Sequence, residues 1–251
     1  MGALHEGHAS LVRRARGECG SVVASIFVNP TQFLAGEDFS RYPRTEEADL
    51  QLLELLGADV AFLPGVEQIY APRATTTIDV GGLGEVLEGA ARPGHFRGVA
   101  TVVNILFNLV APDRAYFGQK DGQQSVVVRR LVRDLALPIE VVVCPTVREA
   151  DGLAMSSRNR YLTADERAQA VALSRALFAA QDGHAAGERS AEALRQRMRA
   201  ELAAAPLGEF DYASIADAES LDELERVDRP ALASVAIRFP SARLIDCLPL
   251  G

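Results

Sequence analysis

The chain has 251 residues, of which 48% are hydrophobic and 24% are charged. This balance is typical of a globular protein, and the length suits one large domain or two of ordinary size. The formal net charge of −8, from 26 basic and 34 acidic residues, argues against a general nucleic-acid binder, because no surplus of cations is present to neutralise phosphates. A local basic pocket for a small anion is still compatible with this charge.

The cysteines and the apolar runs restrict the compartment. Cys19, Cys144 and Cys247 are odd in number and far apart, so they indicate neither a disulfide framework nor a zinc knuckle. Apolar runs stay shorter than the roughly 20 residues that span a bilayer, and the first ten residues lack the basic and apolar pattern of a secretory signal. The sequence therefore predicts a cytoplasmic protein with no membrane and no nucleic acid among its partners.

Strand-like and helix-like segments alternate over the first two-thirds of the chain. Periodicity, β-branched runs and Gly or Pro stops predict helices at residues 9–16, 46–56, 101–110 and 122–135, and strands at residues 21–28, 59–63, 114–117 and 139–144. This alternation predicts an α/β fold with a doubly wound, Rossmann-like parallel sheet. Functional residues in such folds lie on the loops that follow the carboxyl ends of the strands.

The character of the sequence changes after about residue 147. An alanine-rich helix is predicted at 164–181, with Thr163 as its N-cap and Glu166 completing a capping box. The elements predicted beyond it are a glycine-rich break at 183–187, a helix at 190–204, and strands at 210–215, 231–239 and 242–247. We therefore expect residues 1–146 to form the Rossmann-like domain, which binds nucleotide and substrate, and residues 147–251 to form a smaller α+β lid domain.

Two histidines lie three residues apart where the first helix opens. At this spacing the imidazoles of His5 and His8 can lie on one side of the helical turn, near backbone N–H groups that attract anions. Together with Gly7 they match the H-x-G-H element of adenylate-forming nucleotidyltransferases. The alternative is that two surface histidines fall three apart by chance. A metal site is less favoured, since two histidines by themselves fall short of a zinc ligand set.

Two further segments carry polar groups that suit a small substrate. Asn29 and Gln32 follow the strand 21–28, and an amide pair there suits a substrate hydroxyl, although Asn-Pro alone also marks an ordinary turn. Arg92, His95 and Arg97 crowd cations around two glycines in an otherwise acidic protein. This crowding predicts an anion site, with a solvated loop as the alternative.

Two loops have the composition of phosphate-binding segments. Lys120 follows a predicted strand and precedes a predicted helix, so backbone amides at the helix start could hold a phosphate beside it. The segment lacks the G-x-x-x-x-G-K pattern and is not a P-loop. Ser156, Ser157 and Arg158 place two hydroxyls and a guanidinium together, which indicates a second phosphate clamp, although such a triplet alone is also compatible with a linker.

The order of these motifs along the chain is more specific than any one of them. The sequence resembles the pantothenate synthetase family over essentially its whole length, in the segments MGALHEGH, SIFVNPTQF, YPRT, LEGAARPGHFRGVATVV, FGQKDGQQ, PTVREADGLAMSSRNRYL and ARLIDC. The resemblance implies that pantoate and ATP form pantoyl adenylate and pyrophosphate, after which the amine of β-alanine displaces AMP. It also implies magnesium with the ATP and a homodimer.

The resemblance also implies residue roles. The catalytic residues would be His5, His8, Lys120, Ser156, Ser157 and Arg158. The ATP contacts would be Met1, Gly7, Gly118, Lys120, Asp121, Val147, Met155, Ser156, Ser157 and Arg158. Gln32 and Gln124 would bind pantoate, and Asn29 would lie beside β-alanine. The chain departs from the frequent family residues at Thr31, Gln119, Gly122 and Cys247, which puts fine substrate geometry in doubt rather than the reaction.

Two alternatives and one expectation about the start of the chain accompany this interpretation. The protein could be another H-x-G-H nucleotidyltransferase, or a non-catalytic ATP-binding module that kept the fold. The paired Gln32 and Gln124 count against the first, and the retained histidines with Lys120 against the second. In the family's pattern a strand leads directly into the motif that begins at Met1. We expect that this first strand is missing here, and that an upstream extension raises stability and activity.

Overall fold

The computed structural model describes residues 2–34 and 36–251. The chain divides into two compact units, Met1–Phe117 with Val127–Cys144 and Gly118–Val126 with Pro145–Gly251. The predicted division into domains at 146/147 stays a prediction. Within the described residues, no helix has both the length and the apolar character needed to cross a bilayer.

The elements up to residue 144 alternate between strand and helix. Helices α1 to α6 span Glu6–Glu18, Glu46–Leu55, Val66–Ile69, Glu88–Ala91, His95–Val110 and Gly122–Asp134. Strands β1 to β4 span Val23–Ser25, Val60–Phe62, Arg114–Gly118 and Glu140–Cys144. Strand β1 pairs in parallel with β2, and β3 pairs with β4. One cluster of the first unit's core consists of buried residues on α1, β1 and α2 and in the turn before β1, namely Val12, Ala15, Val22, Ala24 and Leu53.

The elements after residue 144 form an antiparallel sheet with helices. Helices α7, α8 and α9 span Ala164–Ala170, Ala172–Ala185 and Ala191–Leu202, and strands β5, β6 and β7 span Glu209–Asp217, Ala231–Arg238 and Arg243–Leu250. Strand β6 lies between β5 and β7 and is antiparallel to both. The large side chains that are almost fully buried here include Leu173, Leu177, Leu194, Met198, Ile215 and Ile237. This core belongs to the second unit alone.

Several element boundaries differ from those predicted. Helix α5 begins at His95, six residues before the predicted start, because the left-handed Gly94 (φ 83°) lets the helix open inside the stretch predicted as a loop. The predicted helix 164–181 is two helices that meet at Val171. Its capping box of Thr163 and Glu166 is confirmed. The strands predicted at 21–28 and 59–63 are only three residues long.

The predicted glycine-rich break at 183–187 is wrong at its first three residues. Gly183 lies inside α8, which continues to Ala185. A Cβ at Gly183 would lie 3.0 Å from the Leu194 side chain and 3.2 Å from that of Arg197, so this glycine permits the close approach of α8 and α9. The chain turns only at Gly187, whose φ of 99° lies in the left-handed region.

Gly98 plays a comparable role for the first unit. A Cβ at this position would lie 2.5 Å from the backbone oxygen of Thr31. Helix α5 therefore packs directly against the backbone of the short helical turn Pro30–Gln32. This contact places the turn that carries two of the predicted substrate ligands.

Candidate active site

The two histidines of the H-x-G-H element cap the start of helix α1. His5 is the N-cap, and its Nδ1 accepts the Gly7 N–H at 3.1 Å. The Nδ1 of His8 accepts the His5 N–H at 3.3 Å, and the ring centroids lie 4.0 Å apart. A ring nitrogen that accepts a hydrogen bond carries no proton, so the proton of each neutral imidazole lies on Nε2. Two N–H donors of this kind suit an anionic substrate.

A buried carboxylate anchors the segment that leads into His5. The side chain of Asp49 on α2 accepts the backbone N–H groups of Ala3 and Leu4, each at 2.8 Å, and the hydroxyl of Thr45 at 3.0 Å. Asp49 is only 2% exposed, so water does not compete for these bonds. The backbone before His5 is therefore fixed from α2.

Asn29 is buried at the start of the helical turn Pro30–Gln32. Its Oδ1 accepts the Tyr70 hydroxyl at 2.8 Å and the Thr31 hydroxyl at 3.0 Å, and its Nδ2 donates to the Gly98 carbonyl at 3.2 Å. The amide thus has protein partners on both of its polar atoms. Its predicted place beside β-alanine stays a prediction.

The backbone carbonyl of Gln32 is held by two side chains. Arg92 donates to this oxygen at 2.9 Å and to the carboxylate of Glu37 at 2.7 Å. Burial, together with the Arg92 charge, lowers the pKa of His95 to about 4, so its imidazole is neutral at pH 7. Its Nδ1–H then donates to the Gln32 carbonyl at 2.9 Å, while its Nε2 accepts from Arg92 at 3.1 Å.

The stretch predicted as an anion site therefore has its charge matched within the protein. Arg92 pairs with Glu37, and Arg97 pairs with the exposed Asp79 at 2.9 Å. His95 is neutral at pH 7 because of its burial. Arg92 and His95 hold the Gln32 backbone carbonyl, whereas Arg97 pairs only with Asp79, and the anion site stays a prediction.

Lys120 lies between strand β3 and helix α6 in the second unit. The Asp121 carbonyl accepts the Ser125 N–H at 3.0 Å, so Asp121 occupies the N-cap position of a 13-residue helix. The Lys120 Nζ lies 3.5 Å from the Asp121 carboxylate, a long contact, and the lysine side chain is 20% exposed. The lysine thus stands beside a helix start, where backbone N–H groups favour anions.

A hairpin brings together two residues that were predicted to contact ATP. The Met155 N–H donates to the Val147 carbonyl at 3.0 Å, and Arg148 pairs with Ala154 in an antiparallel bridge. Ser156 follows directly, and its hydroxyl accepts the Arg158 N–H at 3.2 Å. Val147, Met155 and the 156–158 segment therefore form one continuous structural piece.

Side chains that were not among the predicted site residues hold the hairpin 147–155 and the segment 156–158 together. Asn159 donates from Nδ2 to Glu149 at 3.0 Å and to the Ala154 carbonyl at 3.1 Å. Arg167 pairs with Glu149 and with Asp151, each at 2.7 Å. These contacts fix the loop 156–159 against the hairpin 147–155.

The comparisons with known proteins agree on one family. A family profile described as pantoate-beta-alanine ligase matches residues 1–249. A pantothenate synthetase of Acidobacterium capsulatum is 59% identical over 251 residues, which cover 100% of this chain and 84% of that protein. One of Roseiflexus castenholzii is 59% identical over 246 residues, which cover 98% of this chain and 88% of that protein. The chain belongs to the pantoate-beta-alanine ligase family.

Solved structures of the family share the fold. Pantothenate synthetase of Thermus thermophilus superposes with a TM-score of 0.96 at 52% identity, covering 99% of this chain and 90% of that one. The ligase of Francisella tularensis, in complex with beta-gamma ATP and β-alanine, gives a TM-score of 0.79 at 33% identity, covering 99% and 86%. The predicted fold class is confirmed, and membership of this ligase family makes the chain an enzyme.

The residues predicted for the ligase site fall into both units. The first unit carries His5, Gly7, His8, Asn29 and Gln32, and the second carries Gly118, Lys120, Asp121, Gln124, Val147, Met155, Ser156, Ser157 and Arg158. Met1, also predicted to contact ATP, lies outside the described residues. Within residues 2–34 and 36–251, the structure gives the side-chain amides of Gln32 and Gln124 no hydrogen-bond partner, and their role in binding pantoate stays a prediction.

The residues that sequence reasoning missed are those that hold the predicted site residues in place. They are Glu37, Asp49, Tyr70, Arg148, Glu149, Asn159, Arg167 and Asp246. Most of these contacts join residues far apart in the sequence, such as Asp49 to Ala3 and Asp246 to Arg148. The signal that could have found some of them in the sequence is a polar residue inside a segment that resembles the family, as in PTVREADG and ARLIDC.

Proposed function

We propose that this enzyme makes pantothenate from pantoate and β-alanine at the expense of ATP, through a pantoyl-adenylate intermediate. The observation that carries the proposal is the placement of His5 and His8 at the start of α1, where the hydrogen bonds that each Nδ1 accepts put the proton of each neutral ring on Nε2. The family match supports the pair of acids joined. The Francisella ligase, with its bound ATP analogue and β-alanine, supports the nucleotide and the second substrate.

The first step is the attack of a pantoate carboxylate oxygen on the α-phosphorus of ATP. A P–O bond to pantoate forms, the bond to the β,γ-diphosphate breaks, and pyrophosphate leaves with the electron pair. Negative charge grows on the phosphate oxygens, and preorganised donors stabilise such charge strongly. We assign this role to His5, His8 and Lys120, with Ser156, Ser157 and Arg158 as further phosphate ligands.

The second step joins the acyl group to β-alanine. The neutral amine attacks the acyl carbon of pantoyl adenylate, an amide bond forms, and AMP departs as the C–O bond breaks. The amine nitrogen loses a proton to solvent or to AMP. No covalent bond to the enzyme forms in either step, so the protein contributes alignment and charge stabilisation.

The binding roles follow the predicted assignment. Gln32 and Gln124 bind pantoate through amides that lack protein partners among the described residues. Asn29 lies beside β-alanine. The ATP contacts come from Met1, Gly7, Gly118, Asp121, Val147 and Met155, together with the phosphate ligands named for the first step.

Magnesium enters the proposal as the companion of ATP. The described residues hold no group of three or more His, Cys, Asp or Glu side chains able to bind a metal ion, so the protein offers no cage of its own there. Mg²⁺ is commonly held by substrate phosphates and water with few protein ligands. We therefore assign the ion to the ATP phosphates and water and name no protein ligand for it. A homodimer in the cytoplasm completes the proposal, and sedimentation equilibrium tests the dimer.

Product analysis tests the reaction. The protein is mixed with ATP, Mg²⁺ and pantoate, and pyrophosphate release is followed before and after β-alanine is added. We expect pantoyl adenylate and pyrophosphate first, then AMP and pantothenate. Pyrophosphate release with a phosphorylated cofactor precursor but not with pantoate would favour another nucleotidyltransferase. ATP binding with no pyrophosphate under either condition would favour a non-catalytic module.

A further inference from the structure

The carbonyl directly before Lys120 accepts a hydrogen bond from a buried thiol on strand β7. The Cys247 Sγ lies 2.7 Å from the Gln119 carbonyl oxygen and 3.7 Å from that of Lys120. Cys247 is 3% exposed, and burial raises the pKa of its thiol to about 12. The sulfur is therefore protonated at pH 7 and acts as the donor. Strand β7 thus holds the loop that carries Lys120.

Gly122, the first residue after this loop, lies against the sheet with no space for a side chain. A Cβ at Gly122 would lie 2.5 Å from the Cys247 Sγ and 2.9 Å from a methyl carbon of Leu232. The first residue of α6 therefore packs directly on strands β6 and β7. A larger residue at position 122 would have to move either the loop or the sulfur.

The neighbouring residue on β7 holds the other predicted phosphate-binding segment. Asp246, 2% exposed, accepts from Arg148 at 2.6 Å and 3.3 Å through two oxygens. Arg148 also donates to the Gly152 carbonyl at 3.1 Å, so it ties both arms of the hairpin 147–155 to the strand. This hairpin ends at Met155, directly before Ser156.

Resting on the proposed function, we propose that Asp246 and Cys247 are positioning residues for the adenylation step. Adjacent on one strand, they hold the Lys120 loop and the hairpin 147–155 at a fixed spacing within the second unit. Phosphate ligands stabilise a transition state only when they stand in the right arrangement before the reaction begins. The competing explanation is that both residues merely fill the core.

Four variants at the thiol contact separate the two explanations. Cys247→Ala removes the thiol, Cys247→Ser keeps a hydroxyl donor, Gly122→Ala forces the contact, and the double variant G122A/C247A removes the sulfur that the new methyl group would strike. Cys144→Ala is the matched control, since Cys144 is an equally buried cysteine on β4 in the first unit. The measurements are kcat and KM for ATP in pyrophosphate release, and the thermal midpoint.

Positioning predicts a specific pattern in kcat. Misplacing a reacting group by about 1 Å can cost up to about 100-fold in rate, so we expect Cys247→Ala to lose about 10-fold or more in kcat. Cys247→Ser should recover part of that loss, and G122A/C247A should be faster than Gly122→Ala alone. Cys144→Ala should lower the thermal midpoint and leave kcat near that of the parent protein.

The contact between the hairpin 147–155 and β7 is tested with Asp246→Asn, which keeps the shape of the side chain and removes its charge. Positioning predicts a fall in kcat that is larger, as a fold-change, than any rise in KM for pantoate, because neither Gln32 nor Gln124 lies on the hairpin 147–155. If Cys247→Ala does not fold, Cys247→Ser and the comparison of Gly122→Ala with the double variant decide the question.

The outcomes distinguish this inference from the proposed function. A parent protein that releases no pyrophosphate overturns the proposed function itself. An active parent whose Cys247→Ala and Asp246→Asn variants behave like Cys144→Ala, stable or not, overturns only the positioning roles. Failure of the double variant to recover rate over Gly122→Ala also counts against them.

Discussion

Two buried carboxylates, one in each unit, are satisfied in different ways. Asp49 and Asp246 are both 2% exposed. Asp49 accepts hydrogen bonds from two backbone N–H groups and one hydroxyl, all of them neutral donors. Asp246 accepts from the guanidinium of Arg148 and from the Cys247 N–H. Neutral donors let a carboxylate fix the main chain, whereas a cation lets it fix another side chain.

The same contrast extends to the predicted ligands of each unit. In the first unit, Asp49 fixes the backbone before His5, and the Gln32 carbonyl is held by Arg92 and His95. In the second unit, the ion pair between Arg148 and Asp246 ties the hairpin 147–155 to strand β7. Loss of Asp49 should therefore shift a local backbone, and loss of Asp246 should leave the Arg148 charge buried without its partner.

The largest expected effect breaks the charged anchor. Asp246→Ala leaves the Arg148 guanidinium, 16% exposed, without its carboxylate. Removing one partner of a buried ion pair typically costs about 3–5 kcal/mol in the free energy of unfolding. Urea unfolding measures this cost. Glu140→Ala is the control, because it breaks an exposed pair with Arg114 and should cost about 1 kcal/mol or less. Equal losses would contradict the contrast.

The neutral imidazole in the first unit makes stability depend on pH. The pKa of His95 falls from 6.5 to about 4 on folding, mainly through burial and then through the Arg92 charge, with Glu88 and Glu37 opposing the fall. The unfolded chain therefore binds more protons between these values, and stability is complete above about pH 6.5 and lost as pH falls toward 4. The loss should reach roughly 3 kcal/mol at pH 4.

The variant His95→Asn isolates this contribution. Its amide can still donate to the Gln32 carbonyl but does not titrate. Between pH 7 and pH 4 the parent protein should lose more unfolding free energy than the variant. Parallel losses in the two proteins would mean that His95 does not stay neutral in the folded state.

Lys120→Ala separates activity from stability in the second unit. The lysine's ion contact with Asp121 is long, so its loss should change the unfolding free energy little. Its ammonium should instead offset the charge of departing pyrophosphate, and its removal should lower kcat about 100-fold. Arg133→Ala, which removes an exposed cation at the other end of α6, is the matched control. Near-normal turnover would remove Lys120 from its assigned role.

Asp49→Asn tests the neutral anchor. The amide presents N–H groups where one of the backbone donors now points, so a buried donor loses its acceptor at about 1–3 kcal/mol. We expect a matching loss of stability together with a lower kcat, because the segment before His5 is released. Thr45→Ala removes a hydroxyl from the same carboxylate without touching that segment. It should affect stability alone, and a similar kcat in both variants would contradict the assignment.

The smallest expected effect concerns the two glutamines that are proposed to bind pantoate. Gln32→Ala and Gln124→Ala should each raise KM for pantoate about 10-fold, since one hydrogen bond to substrate is lost. KM for ATP should change little. Gln196→Ala, on the exposed face of α9, is the control. A variant that weakened ATP and spared pantoate would show that the pocket is assigned wrongly.

Local sequence patterns were enough for the type and order of the main elements. The 3.6-residue period and the Gly or Pro stops located α2, α6 and α9 to within a residue or two. They failed where tertiary packing decides the outcome. Gly183 lies inside α8, at a point where the close approach of α9 leaves no room for a side chain. Helix α5 begins at His95, although the sequence predicted its start only at residue 101.

The candidate site divides along the same line. Motifs identified the residues predicted to touch substrates, since these lie in short contiguous segments. The anchors could not be found in this way, because their partners are distant in sequence, as Cys247 is from Gln119. Gln119, Gly122 and Cys247 are nevertheless visible in the sequence as separate departures from the frequent family residues. In the structure Cys247 touches both of the others, so these departures form one packed group.

The two units are not formed by two consecutive stretches of the chain, and this has a consequence for protein fragments. The second unit takes residues Gly118–Val126 from within a stretch that otherwise belongs to the first. Cutting the polypeptide at 146/147 would therefore separate β7 from Gly122, which packs against it, and would expose Cys247 and Leu232 to water. The first piece would contain every residue of the first unit together with Gly118–Val126, and the second piece would lack that segment of its own unit. Reassembly from two pieces would require one piece to supply a short internal segment to the other, while a circular permutant keeps every segment on one chain.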